Sequence, residues 1–544
     1  MSWKKRALAA ALAGLCLLSG CSLPGRQQDE GPKDTVDVSD AYFGLAWYKN
    51  GTLNPVTDTD SINAMLREAL YEGLFELTDD FTPQNVLCEG YSGDGTTFTF
   101  TIRQGVKFWS GQTLTADDVV ASYRAAMDNA SSPYHSRLAD VTTLESAGTY
   151  KVRIVLSSPN ADFPRLLNIP VYRRGSADSG SFADGTGPYV PVENGSAYTL
   201  EKNENWHGGF LGTIRHIELV GITRADAAES SFRTGDVSVM RSSRIAADDA
   251  TTVIGGAVDT LQTSTALHYI GINYANEQLK DAKVRRALSA AIGRRALCET
   301  QLQTFADPAV LPVNPQQQVS GVTLSTEADT AGAYELLHSE TDDKKADDTA
   351  ARDSAAQTAA DGDVTIYYAE DGTPLTDDEG YYIDEDGDRV LNAEGEPVKD
   401  PSASAKSGED TPETDAVGEQ IVLSLHLLVN ADNAFKVAAA AQLAASWNAI
   451  EGVSVTVDAV DYETFTARIR EGSFDLYYGE TRLTPDFDLR PLLTQGGSLN
   501  FGGYHDPDME STLAAARKSG DRSALCRQFA EQMPFIPIAF EREQ

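Results

Sequence analysis

Cysteine and histidine are scarce in this chain, and basic charge is outnumbered. Five cysteines and seven histidines are spread over 544 residues. They form no Cys-x-x-Cys pair and no paired-histidine motif, so neither a disulfide framework nor a local zinc module is encoded. Lys and Arg total 44 against 81 Asp and Glu, a formal net charge of -37. That balance argues against a nucleic-acid partner, whose phosphates need a basic surface. After the first 18 residues no apolar run approaches the roughly 20 residues of a spanning helix. Nucleophile elbow, Walker loop and deaminase signature are all missing. Nothing therefore points to an enzyme, a cofactor or a metal. His268 and His426 stand in strand-like apolar runs and read as core or surface residues rather than ligands.

What is present begins at the N-terminus. Lys4, Lys5 and Arg6 precede an apolar run from Ala7 to Leu18, then Leu18-Ser19-Gly20-Cys21. Basic start, short apolar run and small residues at the cut are the layout of a secretory signal. The ending resembles the lipobox of bacterial lipoproteins. That resemblance implies cleavage before Cys21, acylation of Cys21 (palmitate among the chains), and a tether on the extracytoplasmic face of the cell membrane. Residues 1–20 are then the signal, and 21–40, rich in Gly, Pro, Gln and charge, a flexible stalk. With Cys16 and Cys21 so assigned, Cys88, Cys298 and Cys526 remain as small buried thiols, with one pairing left open.

The remaining length, about 520 residues, exceeds a single core and calls for two or three domains. Globular pattern starts near Ala41 with an aromatic strand-like run to Tyr48. Ser61 is placed to cap a helix carrying Ile62, Met65, Leu66 and Ala69 at helical spacing. Residues 96–102 alternate with period two, and Gln104-Gly105 reads as the following turn. Thr115-Ala-Asp-Asp118 has the composition of a helix start, and Tyr150 to Leu156 alternates as a strand. Short strands interleaved with helices predict mixed α/β structure. Residues 340–420 stand apart, with 25 acidic against 6 basic residues, a net of -19. The flanks of that stretch cannot bury a core. Its centre holds a loose repeat, Tyr367 to Gly372 and Tyr381 to Gly387, whose Asp-Gly steps suggest hairpin turns. The spacing does not match a calcium loop, so a solvated acidic insertion is expected. Strand (421–429), helix (to Trp447) and strand (453–457) resume after it.

A series of motifs occurs in order along the chain: Leu53-Asn-Pro55, Leu70 to Phe75, Phe98 to Gly111, Leu114 to Tyr123, Thr186 to Tyr189, Phe232 to Val237, Ile270 to Asn273, Asp281 to Ile292, Asn500 to Tyr504 and Pro534 to Ile538. Together they resemble the extracellular solute-binding proteins of peptide and nickel ABC transporters, over about 42–335 and 420–544. The resemblance implies a two-lobed periplasmic-binding-protein-like α/β fold (type II, cluster C) with a hinge and an extra domain, plus the acidic insertion. Lobe I is expected over 41–265, with an embedded subdomain at about 67–172. Lobe II is expected over 266–518, interrupted at 340–420, and 519–544 is expected to return to lobe I. Relatives run further past the Pro-rich C-terminal strand, so that last piece reads as abbreviated.

The implied function is a monomeric, lipid-anchored receptor that traps a peptide ligand between its lobes and delivers it to an ABC permease and ATPase complex. Peptide-binding relatives grip the ligand amino group with a cleft aspartate. The matching stretch is Phe474 to Leu493, in which Asp486 aligns best and Asp488 or Glu480 are substitutes. Arg482 or Arg490 could meet a ligand carboxylate. Trp47, Tyr48, Tyr478, Gly479 and Asn500 fall where relatives line the cleft, with lobe core as the competing reading. Nickel-chelate or glycan binding by the same fold remains an alternative, and so does a non-transport surface lipoprotein using its acidic insertion for contacts.

Overall fold

The computed structural model describes residues 42–338 apart from short stretches (50, 52, 178–181, 196, 211, 242, 244, 246–259, 318 and 320), then 381, 389 and 423–543. The signal, stalk and Cys21 lie outside the described residues. So does nearly all of the acidic stretch, including the hairpin reading. The chain divides into two compact units, one of residues 1–334 with 423–544 and one of residues 335–422. Within the second, the Arg389 guanidinium carbon lies 4.2 Å from the Tyr381 ring centroid. Among the described residues no helix is long and apolar enough to cross a membrane.

Strands in chain order are β1 (Gly44–Tyr48), β2 (Phe75–Leu77), β3 (Pro83–Asn85), β4 (Cys88–Gly93), β5 (Thr97–Ile102), β6 (Val141–Ser146), β7 (Lys151–Leu156), β8 (Tyr189–Asn194), β9 (Ala197–Lys202), β10 (His216–Ile222), β11 (Gln262–Ile272), β12 (Ala306–Pro308), β13 (Leu423–Asn430), β14 (Val453–Val460), β15 (Leu476–Arg482) and β16 (Ile536–Glu543). A four-stranded sheet in the order β1-β10-β9-β8 and an antiparallel sheet in the order β4-β5-β7-β6 make up the first part of the molecule. A six-stranded mixed sheet, β12-β16-β11-β15-β13-β14, makes up the second.

Local sequence explains most of these elements. Phe98, Phe100 and Ile102 alternate inward on β5 and are buried, as a half-covered strand requires. The helix Ala116–Asp128 starts at Thr115, whose N–H and hydroxyl both donate to the Asp118 carboxylate at 2.9 and 2.8 Å. Tyr123 on that helix is fully enclosed, and its hydroxyl donates to the Leu167 carbonyl. The helix Ala434–Asn448 connects β13 to the parallel β14. It ends on a fully buried Trp447 whose indole N–H donates to the Leu288 carbonyl at 2.8 Å.

One expectation differs from the structure. Ser61 does not cap a helix. That helix is Ala64–Leu70, Asn63 takes the cap position, and the Asn63 side chain instead joins the Tyr48 N–H to Asp58. The amide of Asn63 carries its acceptor oxygen and its donor nitrogen on separate atoms, so one side chain spans both partners. At the C-terminal end, β16 lies between β12 and β11 of the six-stranded sheet. Ile536, Ile538 and Phe540 are fully buried there, and a strand apolar on this scale needs partners on both sides.

Cys88, Cys298 and Cys526 are buried and unpaired. Burial pushes their thiols up to about 11, 12 and 11, and a thiol held protonated is a poor nucleophile. The native chain is therefore expected to leave these three thiols unlabelled by a thiol reagent at pH 8. All three should label in denaturant, as mass spectrometry would count.

Candidate functional site

The residues singled out by sequence fall into separate places. Trp47 and Tyr48 lie on β1. Trp47 is buried against Tyr198 and Phe182, with ring centroids 5.4 and 6.0 Å away, which is core packing. Tyr48 packs on a small cluster with Ala46 and Ile222. Asn500 staples its own loop, donating to the Thr494 and Tyr504 carbonyls and accepting from the Tyr504 N–H. Gly479 on β15 has no room for a side chain, because a Cβ there would fall 2.6 Å from the Tyr269 ring. Arg482 pairs with Glu543, which also holds Arg241 at 3.0 Å.

Asp486 and Asp488 come together with residues that sequence reasoning did not single out. The chain turns through Phe487 with a positive φ of 52°, a left-handed conformation that costs a bulky residue roughly 1–3 kcal/mol. Both carboxylates then face one guanidinium nitrogen, Arg517 Nη1, at 3.6 and 3.1 Å. The other Arg517 nitrogen meets Asp140 at 2.9 Å. Arg490 bridges Asp488 and Asp140, both at 2.7 Å. Asp140 and Asn160 belong to the first part of the chain, on the segment around β6 and β7. The network therefore joins the β4–β7 sheet to the second part of the molecule. Asn160 donates to Asp486 at 2.8 Å, and Arg522 reaches Asp162 at 2.7 Å. The Phe81 and Phe487 rings meet edge to face at 4.9 Å beside them. Phe81 also has a positive φ, 63°.

The acids of this junction are not electrostatically alike. For Asp140, burial works upward, but hydrogen bonds and charge from Arg490 and Arg517 outweigh it and hold the carboxyl below its ordinary value. For Asp486, burial and the neighbouring Asp488 charge raise the carboxyl above its ordinary value. Its closest contacts are neutral donors, Thr484 Oγ1 at 2.6 Å and Asn160 Nδ2. Arg517, Arg137 and Arg522 also act on it electrostatically, without outweighing burial.

Glu480 belongs to a different cluster. It accepts an ion pair from Lys436 at 2.7 Å. Burial raises its carboxyl, while His268 and Lys436 bring it below the ordinary range. Tyr478, two residues earlier, is buried, with its hydroxyl 3.2 Å from His268 Nδ1.

The model of the bacterial extracellular solute-binding proteins, family 5, matches residues 82–500, from the β3 strand through the loop that holds Asn500. The chain belongs to that family. Solute binding rather than catalysis is the family's role. A curated relative, the glutathione-binding protein GsiB of Salmonella paratyphi A, is 29% identical over 306 residues. That alignment takes in 53% of this chain and 58% of the relative, so it spans little more than half of either. Among solved structures, the periplasmic murein tripeptide-binding protein MppA in its unliganded open form is similar with a TM-score of 0.65 at 19% identity, over 92% of each chain. NikZ of Campylobacter jejuni in complex with Ni(L-His) scores 0.55 at 18% identity, over 92% of this chain and 93% of that one. These likenesses give the family member its fold, two-lobed and α/β.

Arg517 holds three carboxylates, and removing one partner from such a buried group leaves charge uncompensated, typically at a cost of about 3–5 kcal/mol. Arg517→Met is expected to lose that much in denaturant unfolding at pH 7.5. At pH 4 the loss should be clearly smaller, because the stranded carboxylates then take up protons. An equal loss at both pH values would assign Arg517 to packing alone.

Proposed function

We propose that this family member is the substrate-binding component of an ABC importer that captures peptide-like ligands between its lobes, with Asp486 receiving the ligand amino group. The observation that carries the reading is the family match across residues 82–500. The named ligands of two similar proteins, glutathione and a murein tripeptide, are peptides. Closure of the lobes would bury the ligand and shift the open–closed population by its differential affinity. Cys21, acylated, would tether the receptor to the extracytoplasmic face of the membrane and raise its local concentration at the permease. The partners are then the permease and ATPase complex, with the receptor acting as a monomer.

Three acids were candidates for the ligand amine, and their surroundings favour Asp486. Asp488 is already tied to Arg490 by hydrogen bonds from Nε at 2.8 Å and the backbone N–H at 3.0 Å. Glu480 is held by Lys436. The Asp486 carboxylate takes its hydrogen bonds from the neutral Thr484 and Asn160, and the Arg517 guanidinium stands at 3.6 Å. An arriving ammonium would supply a directly hydrogen-bonded cation in a buried setting where the attraction is strong.

The raised carboxyl gives the test a definite sign. A carboxyl whose folded value lies above its unfolded value of about 3.9 contributes stability below that point and loses it as pH rises through the folded value. Asp486→Asn is therefore expected to leave the ligand-free melting temperature at pH 7 unchanged or higher. The same variant should lose at least about tenfold in affinity for free-amine peptides in calorimetry, equivalent to about 1.4 kcal/mol. N-acetylated peptides should bind both forms alike. Undiminished affinity in Asp486→Asn would move the role to another acid, and the absence of any thermal shift with a peptide pool would remove the peptide reading.

A further inference from the structure

The six-stranded sheet carries a second polar cluster, apart from the proposed contact at Asp486. His268 lies mid-way along β11 and is fully enclosed, with 0% of its surface exposed. Glu541 on the neighbouring β16 is likewise at 0%. Glu480 is paired directly across from His268 in the β11–β15 register, so both side chains stand on one face of the sheet. One ligand-type atom from each of the three residues lies within 4.8 Å of the others.

The hydrogen bonding at these residues is unfinished in a specific direction. His268 Nδ1 is fixed by the Tyr478 hydroxyl at 3.2 Å. Glu541 Oε1 accepts from the Ser243 hydroxyl. The remaining atoms, His268 Nε2 and Glu541 Oε2, face each other at 3.9 Å, and neither has a hydrogen-bond partner among the described residues. Leaving a buried carboxylate oxygen and a buried imidazole nitrogen unmet costs folding free energy on both sides. That cost is removed when one cation takes both lone pairs together with a Glu480 oxygen.

We infer that His268, Glu480 and Glu541 form a site for a divalent transition-metal ion of the zinc class. One imidazole and two carboxylates, with no thiolate, suit such an ion. They are too few oxygens for a calcium cage, and the imidazole disfavours magnesium. With Nδ1–H donating to the Tyr478 hydroxyl, Nε2 is left as the lone-pair nitrogen, and such an outer contact sets the orientation of a ligating histidine. Lys436, on Glu480 at 2.7 Å with 17% of its side chain exposed, neutralises that acid and swings toward solvent when the ion enters. Enclosure sets the site apart from cargo binding. The ion joins β11, β15 and β16 to Ser243, on the chain segment that leads from the first sheet to β11. It therefore acts as a resident clamp where the chain passes from the first part of the molecule to the second.

The test uses the full chain, stripped with a chelator, refilled with zinc and desalted. One equivalent of zinc by elemental analysis, with a rise in melting temperature of about 2 °C or more, is expected. Cobalt in place of zinc should give the visible absorption bands of a low-coordinate nitrogen–oxygen site. His268→Gln and Glu541→Gln should each weaken zinc binding by at least about tenfold. Because both positions are buried, Glu480→Gln on the part-exposed side provides a variant that keeps the fold and is expected to weaken binding similarly. Retention of less than about a tenth of an equivalent by the wild-type chain would overturn the site. So would zinc binding left unchanged in Glu480→Gln and His268→Gln, which would place the metal elsewhere, as on the acidic residues 340–420.

Discussion

Burying a carboxylate without a cation is costly, and the arrangement of this molecule turns on how that cost is met where its parts join. Arg517 and Arg490 gather Asp140, Asp486 and Asp488 into one network. The partners come from a β-rich subdomain and from a loop far along the chain, so the network couples the two parts of the molecule as well as neutralising charge. Its balance is uneven. Asp140 is held firmly ionised by two guanidinium groups, while Asp486 is burdened by burial and by Asp488. A junction in which one acid is left under-compensated is stable enough to form and still gains from a further positive charge. That is the physical basis for the proposal that the junction meets a ligand.

The backbone around the junction points the same way. Phe81 and Phe487 both take left-handed conformations and pack on each other edge to face. Their packing, of the order of 0.5–1.5 kcal/mol for an aromatic pair beyond its buried area, offsets part of the conformational cost. The strained residue between Asp486 and Asp488 is also what turns two acids toward one arginine. In the six-stranded sheet a similar economy operates with opposite chemistry. His268 and Glu541 are enclosed without completing each other's hydrogen bonds, and a cation is the ligand that their geometry accommodates.

Much of the local architecture was legible in residue order. The alternation of Phe98, Phe100 and Ile102 marks β5, and the Thr115–Asp118 pairing starts the helix that follows. Asp281 accepts from the Lys283 N–H at the head of a helix that buries Val284, Ala287 and Leu288. Each of these rests on neighbours within one turn or one pleat. Ser61 failed as a cap because Asn63, two residues on, had a long-range use for its amide that the local pattern does not display. Arg517 offered no local signal at all, sitting in an ordinary helix of alanines and charges, and Asn160 stands 326 residues from the carboxylate it binds.

By itself the sequence determined the class of the molecule: strands and helices short and interleaved, and an acidic stretch set apart. Those features depend on periodicity, turn chemistry and charge density, all of which act over a few residues. Only the tertiary structure decided which acid is under-compensated and which strand β16 joins. It also decided that Trp47 belongs to a core, and that a histidine in an apolar run faces two glutamates. Burial and electrostatic pairing are properties of distance in space, and residues hundreds of positions apart acquire them only when the sheets are assembled.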